Sequence, residues 1–243
     1  MARLSGFSGD RRPDLVLEVS STGRAPGPFC AEPLADVKVV GDVVAAGRED
    51  FLLNADLAAG RGTLVLTPDC GTLQGVLRVL FSRMLPTMRS SVLVHGGAVV
   101  LDARAWAFIG ESGAGKSTVA GQLNGWPILS DEIIVLGAAP NQGAGAIACG
   151  TPLSSKPEYP GMPSCEDLAG VFVLSQGETV RELKLEPHEA VAALLERVVV
   201  PGEAGGLAER LVEIALGLAR AVPVTALTLP GPPAAREYFL KLA

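Results

Sequence analysis

The chain has 243 residues and a formal net charge of −6 at pH 7, without the clusters of Lys and Arg that a nucleic-acid surface requires. Its length is sufficient to bury a substantial core, as one large domain or as a small domain plus a core. Its mean hydropathy is high at +0.36, but no run of 18 apolar residues predicts a membrane span, so we expect neither nucleic acid nor a membrane as a partner.

The first ninety residues have the pattern of a β-rich region with one helix. Short apolar runs bounded by Gly, Pro or Asp predict strands at residues 14–19, 37–40, 51–53 and 63–66. Apolar residues from Leu73 to Met84 recur at helical spacing, and we expect Pro86 to end this helix. No catalytic constellation occurs here. Residues 1–90 are therefore predicted to form an N-terminal region packed on a core of residues 91–243.

Two strands with a very short connection come next, at residues 92–100 and 105–109. The connection is too short for a crossover helix, so we predict an antiparallel hairpin. The first strand carries His95 beside Gly96 and Gly97, and glycine allows close approach of a ligand. Two interpretations of His95 stay equally open. It is either a site histidine that orients an acid or contacts phosphate, or a core histidine with satisfied hydrogen bonds.

The segment from Gly110 to Ser117 fits the phosphate-binding pattern G-x-x-x-x-G-K-[ST] at every fixed position. Small residues let successive backbone N–H groups turn toward a phosphate chain. The Lys116 ammonium can reach the β- and γ-phosphates of ATP, and the Ser117 hydroxyl can hold Mg²⁺. A predicted strand precedes the loop and a short helix is predicted at residues 118–123, which is the context that the motif requires. The predicted nucleotide-binding residues are Gly110, Ser112, Gly113, Ala114, Gly115, Lys116, Ser117 and Thr118.

An acidic pair, Asp131 and Glu132, interrupts an apolar run fifteen positions after Lys116. Because the ends of parallel neighbouring strands meet at one edge of a sheet, we expect Asp131 to lie beside the loop. Its carboxylate can bind the Mg²⁺ shell or accept a proton from an attacking hydroxyl. Glu132 points to the other side of a continuing strand and reaches either the metal or solvent. The predicted catalytic residues are Asp131, His95 and Lys116, and the predicted metal ligands are Ser117, Asp131 and Glu132.

The rest of the chain alternates strands and helices. Strands are predicted at residues 146–149, 171–174, 180–185 and 222–229, and helices at 187–199, 203–221 and 236–240. Lys156 lies in a polar loop after a strand. It is either a cation that covers a transferring phosphoryl group or an ordinary loop lysine.

The cysteines show no C-x-x-C pair, and they are Cys30, Cys70, Cys149 and Cys165. This spacing argues against a zinc site or a disulfide framework and predicts reduced thiols. The first residues lack the apolar core of a signal peptide, so we expect a cytoplasmic protein. This highly apolar composition is also consistent with a homo-oligomer.

The combination of His95-Gly96, the loop from Gly110 to Ser117 and the pair Asp131-Glu132 resembles the HPr kinase/phosphorylase family, whose nucleotide core is shared with phosphoenolpyruvate carboxykinases. The resemblance is firm over residues 92–136 and looser beyond them. It implies an α/β fold in which a P-loop nucleotide-binding core with a mixed sheet follows a β-rich N-terminal region. It also implies ATP- and Mg²⁺-dependent transfer of the γ-phosphate to a Ser or Thr hydroxyl of a protein or peptide. On that pattern Asp131 takes the hydroxyl proton, His95 lies beside it, and the loop from Gly113 to Thr118 binds the phosphates.

The chain departs from that family at three places. Glu132 stands where the family usually has a second aspartate, and Thr118 stands where it usually has glutamate. The Glu-Ile-Arg-Gly type of signature is not evident after Pro152. These differences leave the identity of the phosphoacceptor open. They also leave an alternative, a nucleotide-binding regulatory protein with little or no phosphotransfer activity.

Overall fold

The computed structural model describes residues 13–21, 36–67, 70–123, 125–139, 145–153 and 161–242, without the side chains of Cys70, Ser117, Ala120 and Pro232. The fold is mixed α/β, and the chain divides into two compact units. The smaller unit comprises the described residues up to Leu85 together with residues 200–208. The larger unit comprises residues 86–199 and 209–243. The sequence predicts a domain boundary at residue 90, and this boundary stays a prediction. Lys156 lies outside the described residues.

The smaller unit is built on a five-stranded sheet in the order β1-β5-β4-β3-β2, antiparallel except where β1 pairs with β5. Its strands are β1 (Val16–Ser21), β2 (Asp36–Val40), β3 (Val43–Arg48), β4 (Phe51–Asp56) and β5 (Arg61–Leu66). Alternate side chains of β4 are buried, as the period of a strand requires. They join Val76, Val79 and Leu80 of helix α1 (Cys70–Arg89) in one apolar core.

Helix α1 continues past the residue that was expected to end it. Pro86 lies inside the helix, which reaches Arg89, so the prediction of a stop at Pro86 is wrong. Proline removes one backbone N–H and crowds the carbonyl four residues earlier. It does not prevent the following residues from keeping helical dihedrals, and here they do.

Among the described residues, the larger unit contains an eight-stranded mixed sheet and four helices. The strands are β6 (Ser91–Leu101), β7 (Arg104–Gly110), β8 (Ile128–Ser130), β9 (Ile133–Ala138), β10 (Ala146–Cys149), β11 (Cys165–Gln176), β12 (Arg181–Lys184) and β13 (Val224–Leu229). The helices are α2 (Lys116–Gln122), α3 (Pro187–Leu195), α4 (Ala208–Ala221) and α5 (Pro232–Leu240). The strand order is β10-β9-β6-β7-β11-β13-β12, with β8 paired to β6 and β10 also paired to the beginning of β11.

The predicted hairpin of β6 and β7 is confirmed, and the two strands pair antiparallel. Its two-residue turn, Asp102 and Ala103, has φ values of 48° and 58°. Two consecutive positive φ angles are typical of the tight turns whose twist matches that of the flanking strands. The hairpin fixes where β7 ends, and therefore where the following loop begins.

Four strand ends meet at one edge of this sheet. Strands β7 and β8 both run antiparallel to β6, while β11 runs parallel to β7 and β13 runs parallel to β11. The carboxyl ends of β7, β8, β11 and β13 therefore point the same way. In open α/β sheets, ligands bind beyond the carboxyl ends of the strands.

The prediction of reduced thiols is wrong for Cys149 and Cys165, which form a disulfide between β10 and β11. The two residues lie directly opposite each other in the register of these strands. A separation of 16 residues has no local signature, because the register of the sheet brings the two thiols together. Cys30 lies outside the described residues. None of the helices that the structure describes is long and apolar enough to cross a membrane.

Candidate functional site

The Gly-rich loop connects β7, which ends at Gly110, to α2, which begins at Lys116. Gly113 and Gly115 have φ values of 83° and 98°, a conformation that favours glycine. A Cβ atom at either position would meet no other atom within 4 Å. Glycine is therefore required here by the backbone and not by crowding, and the space beside the loop is open. The backbone of Ser117 lies in the first turn of α2, while its side chain is outside the described part of the structure.

Lys116 is folded back over this loop and is only 7% exposed. Its Nζ atom donates hydrogen bonds to the carbonyl oxygens of Gly110 at 2.9 Å and of Glu111 at 2.8 Å. Burial is the largest cause that lowers the pKa of Lys116, and the nearby charge of Arg197 lowers it further. The Glu132 carboxylate acts in the opposite direction and raises it. Arg197 and Glu132 thus both lie within electrostatic range of Lys116.

The acidic pair occupies the break between β8 and β9, and Asp131 is almost fully buried, with 1% of its surface exposed. The Gly96 N–H donates to the Glu132 carbonyl at 2.8 Å, and Gly96 lies opposite Ile109 of β7. Along the strand direction, Glu132 therefore lies at the same position as the end of β7, and β6 separates the two. The expectation of a parallel neighbour is wrong in this detail, because β6 lies between β8 and the loop strand. The direction of β8 still brings Asp131 to the edge of the sheet at which the loop begins.

His95 lies in β6 opposite Ile133 and is partly buried. The two glycines after it serve close packing of the strands. A Cβ atom at Gly96 would clash with the Phe108 carbonyl, and one at Gly97 would clash with the Phe108 ring and approach the Ser130 carbonyl at 3.0 Å. The sequence suggested that these glycines admit a ligand. In the structure they allow β7 and β8 to pack on either side of β6.

Arg197 is the site residue that the sequence analysis missed. Helix α3 was predicted to run to residue 199, but it ends at Leu195, and the next residues pair with β6. The His95 N–H donates to the Arg197 carbonyl at 2.7 Å. The Arg197 side chain is 22% exposed, and its guanidinium lies 3.8 Å from the Glu111 carboxylate of the loop. Nothing in the local pattern distinguishes Arg197 from the last residue of an amphipathic helix, so only the pairing with β6 reveals it.

A cavity of about 470 Å³ opens beside the loop, at the ends of β11 and β13. Its wall is formed by Ala114, Gly115, Thr118, Val119, Gln176, Gly177, Leu229, Pro230, Gly231 and Ala235. Gln176 joins this wall to the loop, because its Nε2 atom donates to the Gly113 carbonyl at 2.7 Å. The predicted binding residues Ala114, Gly115 and Thr118 thus line a volume of the size that small-molecule sites usually have. The loop residue Ser112 is exposed outside this wall.

The acidic side chains of the site bear on metal binding. Within the described residues, no group of three or more His, Cys, Asp or Glu side chains is arranged to hold a metal ion by itself. Mg²⁺ does not need such a cage, since it is commonly bound by one or two carboxylates together with substrate phosphates. Asp131 and Glu132 supply two carboxylates at the edge of the sheet where the loop begins, so the residue types fit a metal that arrives with a nucleotide.

Comparisons with known proteins give a distant structural likeness. No protein-family model matches the sequence, and no curated protein matches it. Among solved structures, the HPr(Ser) kinase/phosphatase from Coxiella burnetii aligns with 62% of this chain and 97% of its own, at 12% identity and a TM-score of 0.33.

Proposed function

We propose that the chain is an ATP- and Mg²⁺-dependent kinase that transfers the γ-phosphate to a Ser or Thr hydroxyl of a protein or peptide. One observation supports this most strongly, the placement of a buried lysine, an arginine and two carboxylates around a Gly-rich loop at a single sheet edge. A strand, this loop and a helix form the context that the phosphate-binding pattern requires.

The two cations of the site could serve a polyanion. Lys116 and Arg197 are both largely withdrawn from solvent, and their mutual repulsion contributes to lowering the pKa of Lys116. Glu132 offsets part of this effect at Lys116, and the Glu111 and Glu196 carboxylates lie 3.8 and 3.6 Å from the Arg197 guanidinium. A triphosphate chain on the loop would add a further anion that stabilises both positive charges. Lys116 would exchange its bonds to the Gly110 and Glu111 carbonyls for bonds to phosphate oxygens.

The carboxylates would divide the remaining roles. Asp131 would accept the proton of the attacking hydroxyl, because it is buried at the sheet edge beside the loop. Glu132, which interacts electrostatically with Lys116, would hold Mg²⁺ together with Ser117 and Asp131. When bound, Mg²⁺ would neutralise charge on the phosphate oxygens. His95 would orient Asp131 or contact phosphate, from a strand position fixed by its backbone bond to Arg197.

The test separates a kinase from the alternative of a regulatory nucleotide-binding protein. A library of Ser- and Thr-containing peptides is incubated with the protein, ATP and Mg²⁺, and phosphate gain is measured by mass spectrometry. ATP binding is measured in parallel by calorimetry for the wild type and Asp131→Asn. A kinase phosphorylates some peptides and loses this activity in the variant while ATP still binds. ATP binding with neither hydrolysis nor transfer, on the peptides or on the protein itself, would favour the regulator.

A further inference from the structure

The cavity beside the loop is distinguished by its chemistry. Among the described residues that line it, none is charged, and Thr118 and Gln176 are the polar side chains. The rest of the wall is glycine, proline or aliphatic. Such a surface can bind a flat apolar ring by burial and dispersion. It offers few groups that could recognise the edge of that ring.

Several hydrogen-bond donors of this wall are engaged within the protein. The amide nitrogen of Gln176 donates to the Gly113 carbonyl at 2.7 Å. Three backbone N–H groups of the wall are bonded as well: Val119 to Gly115 at 2.8 Å, Gly177 to Leu229 at 3.3 Å and Ala235 to Gly231 at 3.2 Å. Pro230 has no N–H to offer. A ligand would therefore find few free donors here.

We infer that this cavity holds the base of the donor nucleotide and selects it by shape, so that adenine and guanine triphosphates bind almost equally well. The inference rests on the proposed function, because the loop must bind the phosphates for the base to enter the cavity. Adenine and guanine have the same purine frame and differ in the donors and acceptors at their edges. A site built to hydrogen-bond one of them can reject the other by factors of about 10⁴ or more, whereas an apolar wall cannot.

Residues shared by the cavity wall and the loop connect the site of the base with the site of the phosphates. Ala114, Gly115 and Thr118 belong both to the cavity wall and to the predicted phosphate-binding loop or the first turn of α2. Gln176 at the end of β11 holds the loop at Gly113. A ring that fills the cavity would thus lie against the residues that position the phosphates. The base should strengthen binding without determining which purine is used.

The experiment compares three probes by calorimetry in the presence of Mg²⁺: ATP, GTP and inorganic tripolyphosphate. The wild type is expected to bind ATP and GTP within about threefold of each other, and both at least about tenfold more tightly than tripolyphosphate. Pro230→Trp places an indole at the mouth of the cavity from an exposed position after β13, outside the phosphate-binding loop. It should weaken ATP and GTP alike by about tenfold or more and leave tripolyphosphate binding unchanged. Val212→Trp, at an exposed position of α4, is the matched control and should bind all three probes as the wild type does.

Three results would overturn the inference alone. GTP could bind more than about thirtyfold more weakly than ATP, which would show that the site recognises the base edge. Pro230→Trp could leave ATP binding unchanged, or it could weaken tripolyphosphate as much as ATP. If none of the three probes binds the wild type, the proposed function fails together with the inference.

Discussion

The backbone N–H of His95 and the backbone carbonyl of Arg197 form a hydrogen bond of 2.7 Å. This bond attaches the segment after α3 to β6, and it places the Arg197 guanidinium 3.8 Å from the Glu111 carboxylate of the loop. The backbone thus fixes an arginine beside the lysine of the loop, although 81 positions separate Arg197 from Lys116 in the sequence.

We expect Arg197→Gln to lower the rate of phosphate transfer by about 100-fold, the usual effect of removing one group that stabilises charge in a transition state. ATP affinity should fall while ADP affinity changes little, since the proposed function assigns this cation to the terminal phosphate. Steady-state kinetics and calorimetry with both nucleotides measure these effects. Arg220→Gln removes the same charge from an exposed position of α4 and should behave as the wild type. Equal losses of ATP and ADP affinity would argue against a contact with the terminal phosphate.

Proton uptake on ATP binding should follow from the lowered pKa of Lys116. Burial, and then Arg197, lower this pKa below its ordinary value of 10.5. Between the lowered value and 10.5, Lys116 is partly neutral in the free protein, and phosphates would restore its charge by raising the pKa. ATP binding should therefore take up protons in that window and weaken as the pH rises through it. Calorimetry in buffers of different ionisation enthalpy measures the uptake.

Lys116→Met should remove this uptake, and Arg197→Gln should reduce it, because loss of the arginine charge raises the pKa of the free lysine. For the same reason, the free protein should gain stability as the pH rises through the lowered pKa, since the unfolded chain then holds the extra proton. Release of protons on ATP binding in that window would contradict the expected sign.

The disulfide between Cys149 and Cys165 should contribute to stability. The disulfide joins β10 to the beginning of β11 and closes a loop with a sequence separation of 16 residues. Closing a loop of this length stabilises a folded protein by about 3 kcal/mol. Denaturant unfolding of Cys149→Ser should show a loss of this order relative to the oxidised wild type. Reduction of the wild type should produce the same loss. Reduction should leave the variant unchanged, and a further loss in the variant would show that another thiol pair is involved.

The contact of Gly97 with its neighbouring strands predicts a cost for the smallest substitution. A Cβ atom there would clash with the Phe108 ring and lie 3.0 Å from the Ser130 carbonyl, immediately before Asp131. Gly97→Ala should lower the free energy of unfolding by about 1–3 kcal/mol. It should also reduce transfer activity, since the end of β8 must shift. Chemical denaturation and peptide phosphorylation assays measure the two effects.

Gly217→Ala is the matched control, because a Cβ atom at this exposed position of α4 meets nothing within 4 Å. It should raise stability by about 0.5–1 kcal/mol, as removal of a helical glycine usually does. If Gly97→Ala were as stable as the wild type, the packing of β6 against β7 and β8 would be looser than described.

The parts of the site that depend on local spacing could be predicted from the sequence. The loop and the hairpin follow from residues within about twenty positions of each other, where short connections leave few alternatives. The acidic pair at Asp131 could also be recognised as a candidate site, because carboxylates within an apolar segment need a partner. Strand β3 was missed because Ala45, Ala46 and Gly47 lack the branched side chains that mark strands.

The parts that depend on sheet order could not be predicted. The insertion of β6 between β7 and β8, the pairing of residues near Arg197 with β6, and the disulfide all join segments that are distant in sequence. Periodicity shows which face of a strand is buried, but it does not show which strand lies beside it. The cavity wall has the same origin, since it combines the loop with the ends of β11 and β13.

The most direct measurement is a crystal structure of the protein with a non-hydrolysable ATP analogue and Mg²⁺. The proposed function predicts the phosphates on the loop from Gly110 to Thr118, with Mg²⁺ about 2.1 Å from a carboxylate oxygen of Asp131 or Glu132. A nucleotide bound elsewhere, or both carboxylates turned away from the terminal phosphate, would contradict it.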